Sequence, residues 1–457
     1  MRFENEEQAI TYVFRSLRKL RGEPRGPDEV TRDTAPTHRL LQAFDLLATP
    51  ANSLPREYAV ITGSKGKGST TAITAKLLQH LGHTVGMISS PHLVTYRERI
   101  RVNGRAIPEA DLIRILDQLA PEIDQIEDGL ADKQYFSPQG IFLAIALWWF
   151  KEQGVDAAVL EVGRGGRFDD IAVVPNRLSL FTPIMLEHPH QLGPTLERIA
   201  WHKAGIIKPY GYAYSVPQPA AVLNVLQAEA DAQNAEFAWI APMDMGEYLG
   251  KVEGGLRLRL GRYGECTLSL QGRYQVDNAT LAVQGAGNMH GRLPGISHGS
   301  PEYVAAIRAG LADVRWPGRL QKLQDAPAVY LDGAINGESA RLALASLDGT
   351  LADPIIGIVC VPDDKDYEGV YKEVGLVSDS LIITETTRNI TLHFPPASVA
   401  LDTARRFNPE VTFAAALPEA VELAKQRAGR DGTILIFGTQ SIVADAIQLW
   451  GLSYEVI

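Results

Sequence analysis

Apolar and polar positions along the chain follow two periods, one helical and one extended. Residues 6–20 carry an apolar stripe at helical spacing, followed by a polar, proline-containing loop to about residue 37. Residues 58–62 (YAVIT) read as a short buried strand that runs into a glycine-rich turn and then a helix over 69–82. A strand follows at 85–88, then helices near 109–120 and 139–153; the second holds the apolar run 141–150, ending Trp148-Trp149-Phe150. Residues 157–161 and 178–182 are further strands, 195–204 a helix, and 213–216 and 237–240 two strands around another helix. Residues 250–271 alternate with period two around residues 261–264, which predicts a hairpin, and a helix follows over 276–289. Beyond the stretch RLPGISHGSP (292–301), strands are predicted at 329–332, 355–361, 381–384 and 433–437.

Strands that alternate with helices predict a mainly parallel, doubly wound α/β sheet with helices on both faces. With 457 residues the chain is too long for one core. The Gly/Pro/Ser-rich stretch then divides it into a larger domain over 1–296 and a smaller, Rossmann-like α/β domain over 297–457. A net charge of −10 argues against a general nucleic-acid binder, which needs a positive face. Two cysteines, Cys266 and Cys360, make neither a disulfide framework nor a zinc site and suit a reducing compartment. The start MRFENEEQAITYVF has no apolar signal core, and the 141–150 run is too short to span a bilayer. The expectation is a cytoplasmic protein without membrane partners, a monomer or small homo-oligomer.

Chemistry enters at Gly63-Ser64-Lys65-Gly66-Lys67-Gly68-Ser69-Thr70, between a strand and a helix. Glycines let backbone N–H groups turn toward an anion, the helix N-terminus adds a favourable dipole, and Lys67 can reach terminal phosphates. Gly68 follows Lys67 where the strict phosphate-loop pattern has Ser or Thr. The bland alternative is a plain strand-to-helix turn with exposed lysines.

This loop resembles the GTNGKGS loop of folylpolyglutamate and dihydrofolate synthases, members of the Mur ligase superfamily. The resemblance continues in order through Ser89-Ser90-Pro91-His92-Leu93, Glu98-Arg99-Ile100-Arg101-Val102-Asn103-Gly104, and Glu161-Val162-Gly163-Arg164-Gly165-Gly166-Arg167-Phe168-Asp169. It extends through Leu192-Gly193-Pro194-Thr195, Lys203-Ala204-Gly205-Ile206, Gln275 with Asn278-Ala279, Pro317-Gly318-Arg319, Leu331-Asp332-Gly333-Ala334, Asp364-Lys365-Asp366 and Gly438-Thr439-Gln440-Ser441.

The resemblance implies an ATP-dependent carboxylate–amine ligase that phosphorylates an acid and lets an amine, L-glutamate in the family, displace the phosphate. Such a reaction needs positioning and charge neutralisation rather than an enzyme nucleophile. It implies ATP held by residues 63–70, Asn278, Arg319 and Asp332. It implies two Mg²⁺ ions, with Ser90, Glu161 and His188 as ligands, and Lys203 as a further ligand if carbamylated. Lys67, His188, Lys203 and Arg319 would carry the chemistry. Glu161 stands on an apolar strand where a carboxylate needs a partner; the competing reading is a buried salt bridge with Arg167. Asp364-Lys365-Asp366 reads equally as an amino-acid site or a charged surface turn.

Several positions depart from the family pattern. Ile335 replaces the histidine of LDGAHN, Tyr274 stands in place of the usual histidine before Gln275, and Glu187 replaces the aspartate before His188. Asp170-Ile171-Ala172 replaces ATN. Tyr135-Phe136-Ser137-Pro138-Gln139-Gly140 lacks the acidic residue and threonine of a segment near the pterin side in the family. The alternative is therefore a ligase of the same fold that joins a non-folate acid and an amine in a specialised pathway. A phosphotransferase that makes no amide and a degenerate nucleotide binder are the readings from other classes.

Overall fold

The computed structural model describes residues 2–20, 26–47, 56–389 and 392–457. Part of the predicted N-terminal loop, residues 21–25, lies outside them. The first sheet contains β1 (Glu57–Thr62), β2 (Val85–Ile88), β3 (Ile100–Val102), β4 (Arg105–Ala106), β5 (Ala157–Glu161), β6 (Leu178–Phe181), β7 (Tyr212–Ser215) and β8 (Glu236–Trp239). Their order is β4-β3-β2-β5-β1-β6-β7-β8, parallel throughout except for β3 and β4. β5 and β6 are buried along their whole length, as parallel strands covered on both faces must be.

The amphipathic helix Glu109–Asp128 and the almost wholly apolar helix Pro138–Glu152 bury one side of the sheet. The helices Lys67–His80 and Gln275–His290 cover the other. Residues 6–20 form two short helices, Glu6–Val13 and Arg15–Arg18, separated at Phe14. The predicted hairpin gains a strand: β9 (Glu247–Val252), β10 (Gly255–Leu260) and β11 (Gly264–Leu268) make a three-stranded antiparallel sheet.

The second body has β12 (Gln321–Gln324), β13 (Ala328–Asp332), β14 (Ile355–Cys360), β15 (Ser380–Thr384), β16 (Val411–Ala414) and β17 (Thr433–Gly438), in the order β12-β13-β17-β14-β15-β16. Only β12 runs antiparallel.

The change of body falls later than the Gly/Pro/Ser composition of 292–301 suggests. Ser300 caps the helix Pro301–Asp313 by accepting from the Tyr303 N–H at 3.2 Å. That helix packs on Lys67–His80 and buries Tyr303, Ile307 and Leu311 in the first body's core. Burial of its apolar face outweighs the turn-forming composition ahead of it, so the crossing runs through residues 314–318. Among the described residues no helix is long and apolar enough to cross a membrane.

Candidate active site

Strand register gathers three loops. β5 lies between β2 and β1, with Ile88 beside Leu160 and Ile61 beside Glu161. The loops that leave the carboxyl ends of β2, β5 and β1 therefore open together, where ligands collect in sheets of this kind. They carry Ser90, Glu161 and the glycine-rich loop.

The loop's glycines are required by what surrounds them. A Cβ at Gly63 would sit 1.9 Å from Thr182 Oγ1. Gly66 has φ 84°, and a Cβ there would meet Asn278 Oδ1 at 2.3 Å. Gly68 lies under the Trp316 ring, 3.0 Å from where its Cβ would be. Lys67 opens the helix Lys67–His80 and donates back to the Gly63 carbonyl at 3.0 Å. Ser64 Oγ donates to the Met185 carbonyl at 3.3 Å and accepts from the Met185 N–H at 3.0 Å, tying the loop to the chain after β6. Lys65 stands exposed at the tip. Ser69 and Thr70 are buried and brace the loop from behind: Gln275 donates to Ser69 Oγ at 3.3 Å, and Thr70 donates to Asn278 Oδ1 at 3.3 Å.

Glu161 is 4% exposed, and its carboxylate accepts from the Ser90 N–H at 3.0 Å. Burial pushes its pKa up to about 7 against the pull of Lys67, the Ser90 N–H, Arg319 and Arg99. Arg167, the alternative partner, instead pairs with Glu229 and stacks on Trp201. A buried carboxylate facing cationic groups, in one cleft with Ser90, suits a hard cation such as Mg²⁺. Among the described residues no three His, Cys, Asp or Glu side chains converge, so an ion here would draw its remaining ligands from phosphate and water. His188 is exposed in a left-handed conformation (φ 46°) ahead of the short helix Pro189–Leu192.

Lys203, on the helix Leu196–Ala204, is 1% exposed. Its Nζ donates to the Gly63 carbonyl at 2.9 Å and to Glu187 Oε1 at 2.7 Å. Burial lowers its pKa to about 8; Glu187 opposes the fall and Lys67 adds to it. The Gly165-Gly166 turn packs on the end of this helix, since a Cβ at Gly166 would meet the Lys203 carbonyl at 2.8 Å.

The second body supplies Arg319 and Asp332. Gly318 (φ 73°) turns the chain against Val443, and Arg319 follows. With its amide oxygen toward the guanidinium, Gln440 accepts from both terminal Arg319 nitrogens at 3.0 and 3.1 Å. Asp332 is buried; it accepts from the Leu320 N–H at 2.8 Å and from the Tyr274 hydroxyl of the first body at 3.3 Å. Burial raises its pKa, with Arg319 opposing. Arg319, Trp316 and Gln440 line one cleft with Ser90, Glu161 and Gly68.

Other motif residues make local contacts. Asn336 caps the helix Gly337–Leu347. Asp366 accepts from the Gly337 and Gly369 N–H groups at 2.9 and 3.0 Å, stapling two helix starts, while Lys365 pairs with Asp364 at 2.8 Å. In the 135–140 segment Phe136 is fully buried and Ser137 caps Pro138–Glu152. Asp170 is buried against this segment: Thr37 donates to its carboxylate at 2.5 Å, and Ser137 is a further hydrogen-bond partner. No side chain fits at Gly140, where a Cβ would lie 1.9 Å from Thr37 Oγ1. Arg32 donates to the neighbouring Asp169 at 3.2 Å.

Glu187 and Tyr274 were visible in the sequence only as departures from a pattern. Gln440 was visible only as part of a motif, and Trp316 carried no signal, because its contact joins segments far apart in the chain.

Two mainly parallel α/β bodies with a phosphate loop at their junction define a ligase of the Mur type, and residues 318–440 match the family described as Mur ligase, glutamate ligase domain. The dihydrofolate synthase/folylpolyglutamate synthase of Bacillus subtilis is 33% identical over 356 residues, 75% of this chain and 78% of that one. The folylpolyglutamate synthase of Lacticaseibacillus casei is 32% identical over 342 residues, 73% and 77% of the two chains. The crystal structure of Mycobacterium tuberculosis folylpolyglutamate synthase complexed with ADP and AMPPCP superposes with a TM-score of 0.80 at 26% identity, covering 97% of this chain and 99% of that one. The chain belongs to the folylpolyglutamate synthase/dihydrofolate synthase family, and it is an ATP-dependent, ADP-forming ligase.

Proposed function

We propose that this ligase joins L-glutamate to a folate- or pteroate-type acid through an acyl phosphate. The observation that carries the reading is Glu161: a buried carboxylate between the phosphate loop and Ser90, facing Lys67 and Arg319. Lys67 and the amides of residues 63–68 would hold the ATP phosphates, Arg319 would reach them from the second body, and Asn278 and Asp332 would border the nucleoside. Ser90 and Glu161 are the proposed protein ligands of one Mg²⁺, completed by phosphate and water, and His188 is proposed as a ligand of the second of the two sites expected. Bound Mg²⁺ would neutralise charge on the phosphate oxygens.

Lys203 is the proposed carbamylation site. Its lowered pKa leaves a share of neutral amine near pH 7, which can add CO₂ and release a proton. The resulting carboxylate would serve as an oxygen ligand. The two free, buried cysteines, Cys266 and Cys360, suit a reaction in the cytoplasm.

A second reading, a ligase for a non-folate acid, draws on the Asp170, Thr37 and Arg32–Asp169 contacts that fill the 135–140 wall. Phosphate release from ATP and Mg²⁺ with L-glutamate and a panel of acids separates the two. Release that needs both a pterin acid and glutamate supports the first. Silence with every pterin acid and turnover with another acid would replace it by the second.

A further inference from the structure

We propose that Arg101 is a positioning residue that ties the Ser90 loop to the last residues of the second body, so that the metal-facing loop is correctly shaped only while the two bodies are latched. Arg101 is 3% exposed on β3, outside the phosphate and metal motifs. Its guanidinium donates to the carbonyls of Glu455 at 2.7 Å and Tyr454 at 2.6 Å. The same tail continues along the first body: the Ala106 N–H donates to the Glu455 carbonyl at 2.9 Å, the Ile457 N–H donates to the Gly104 carbonyl at 3.1 Å, and Val456 bridges to Arg105. Ile457 is buried in the first body's core.

On its other side Arg101 lies 3.8 Å from Glu98, also buried. Glu98 accepts from the N–H groups of Val94 and Thr95 at 2.7 Å each and of Leu93 at 3.3 Å. These three amides form the far end of the loop that begins at Ser90. Leu93 itself packs on the second body's core. The loop is therefore held twice by the second body, through Leu93 directly and through Glu98 and Arg101 by way of the tail. A planar fork that donates to three carbonyls, those of Glu455, Tyr454 and, at 3.2 Å, Gly104, and lies beside a carboxylate is a task for arginine, and lysine cannot reproduce it.

This inference rests on Ser90 being a metal-facing residue, as proposed above. The test compares the parent with Arg101→Lys and Glu98→Gln. Amide hydrogen exchange over residues 89–95 is read against 57–62, and Mn²⁺ binding to the protein–ADP complex is read by electron paramagnetic resonance. Arg101→Lys should speed exchange at 89–95 while leaving 57–62 unchanged, and should weaken Mn²⁺ about tenfold, the size expected when a supporting contact behind a metal ligand is lost. Glu98→Gln should act in the same direction, and it decides the matter if Arg101→Lys does not fold. Unchanged exchange and Mn²⁺ affinity in a folded variant would overturn the proposal. Faster exchange over the whole sheet would also overturn it, because the role would then be general stability. If the parent binds no Mn²⁺ with ADP, the metal reading fails, while exchange at 89–95 still decides whether Arg101 holds the loop.

Discussion

Lys67 and Lys203 donate to the same carbonyl oxygen, that of Gly63, at 3.0 and 2.9 Å. One oxygen can accept both, but two ammonium groups on it repel; Glu187, hydrogen-bonded to Lys203 and within the field of Lys67, offsets part of that repulsion. The Gly63 carbonyl thus fixes the spacing between a cation at the phosphate loop and a buried amine whose pKa has fallen to about 8.

Removal of that amine should be decisive. Lys203→Ala is expected to lose at least about 100-fold in turnover, the scale seen when a group that stabilises the transition state is deleted. If the working species is the carbamate, short carboxylates such as acetate should restore part of the rate in a phosphate-release assay. Rescue by small amines and not by acetate would assign Lys203 a purely cationic role.

Arg319 is the second body's cation at the cleft, steadied by Gln440. Arg319→Ala should lower kcat by about 100-fold and weaken ATP, and Arg319→Lys should recover little because it cannot form the paired contact. Steady-state rates against ATP concentration test this; a parent-like kcat for Arg319→Ala would remove the residue from the site.

Gly66→Ala should disable the loop without unfolding the protein. The left-handed φ of 84° costs an alanine about 1–2 kcal/mol, and the new methyl would push Asn278 aside. A small drop in melting temperature with loss of ADP binding is expected. Parent-like ADP affinity by calorimetry would contradict the packing argument.

Asp170 gives a pH signature away from the proposed metal ligands. Burial, and then the neighbouring Asp169, lift its pKa to about 6 against hydrogen bonds from Ser137 and Thr37. Because the folded value exceeds the unfolded value of about 3.9, folding takes up a proton between the two. The group weighs little below pH 4, erodes stability as the pH rises to 6, and exerts a constant penalty above it. Asp170→Asn should therefore stabilise the protein at pH 7.5, by at most about 3 kcal/mol, and leave pH 4 nearly unchanged. A stability difference that does not vary between pH 4 and 7 would show that Asp170 is not the titrating group.

The sequence was most legible where a local pattern and its chemistry coincide. The glycine-rich loop, the strands around it and Glu161 at the end of β5 lie where period and motif put them. Arg319, Asp332 and Glu161 come within one electrostatic neighbourhood although the chain separates them widely. What the sequence hid was long-range. The turn-like residues before Ser300 do not show that the helix Pro301–Asp313 has a face to bury on Lys67–His80. Ser137 and Asp170 read separately as departures from a family pattern, whereas in space Ser137 is a hydrogen-bond partner of the buried Asp170. Asp366 read as a charged turn or an amino-acid site, and its carboxylate turns out to be committed to two backbone amides.

The indole of Trp316 rests on Gly68, in the stretch where the chain crosses from one body to the other. A fluorophore is therefore built into the junction, against the loop proposed to meet the nucleotide. The part of the emission lost in Trp316→Phe should report loop occupancy, so nucleotide binding at this junction can be followed without a label by stopped-flow mixing.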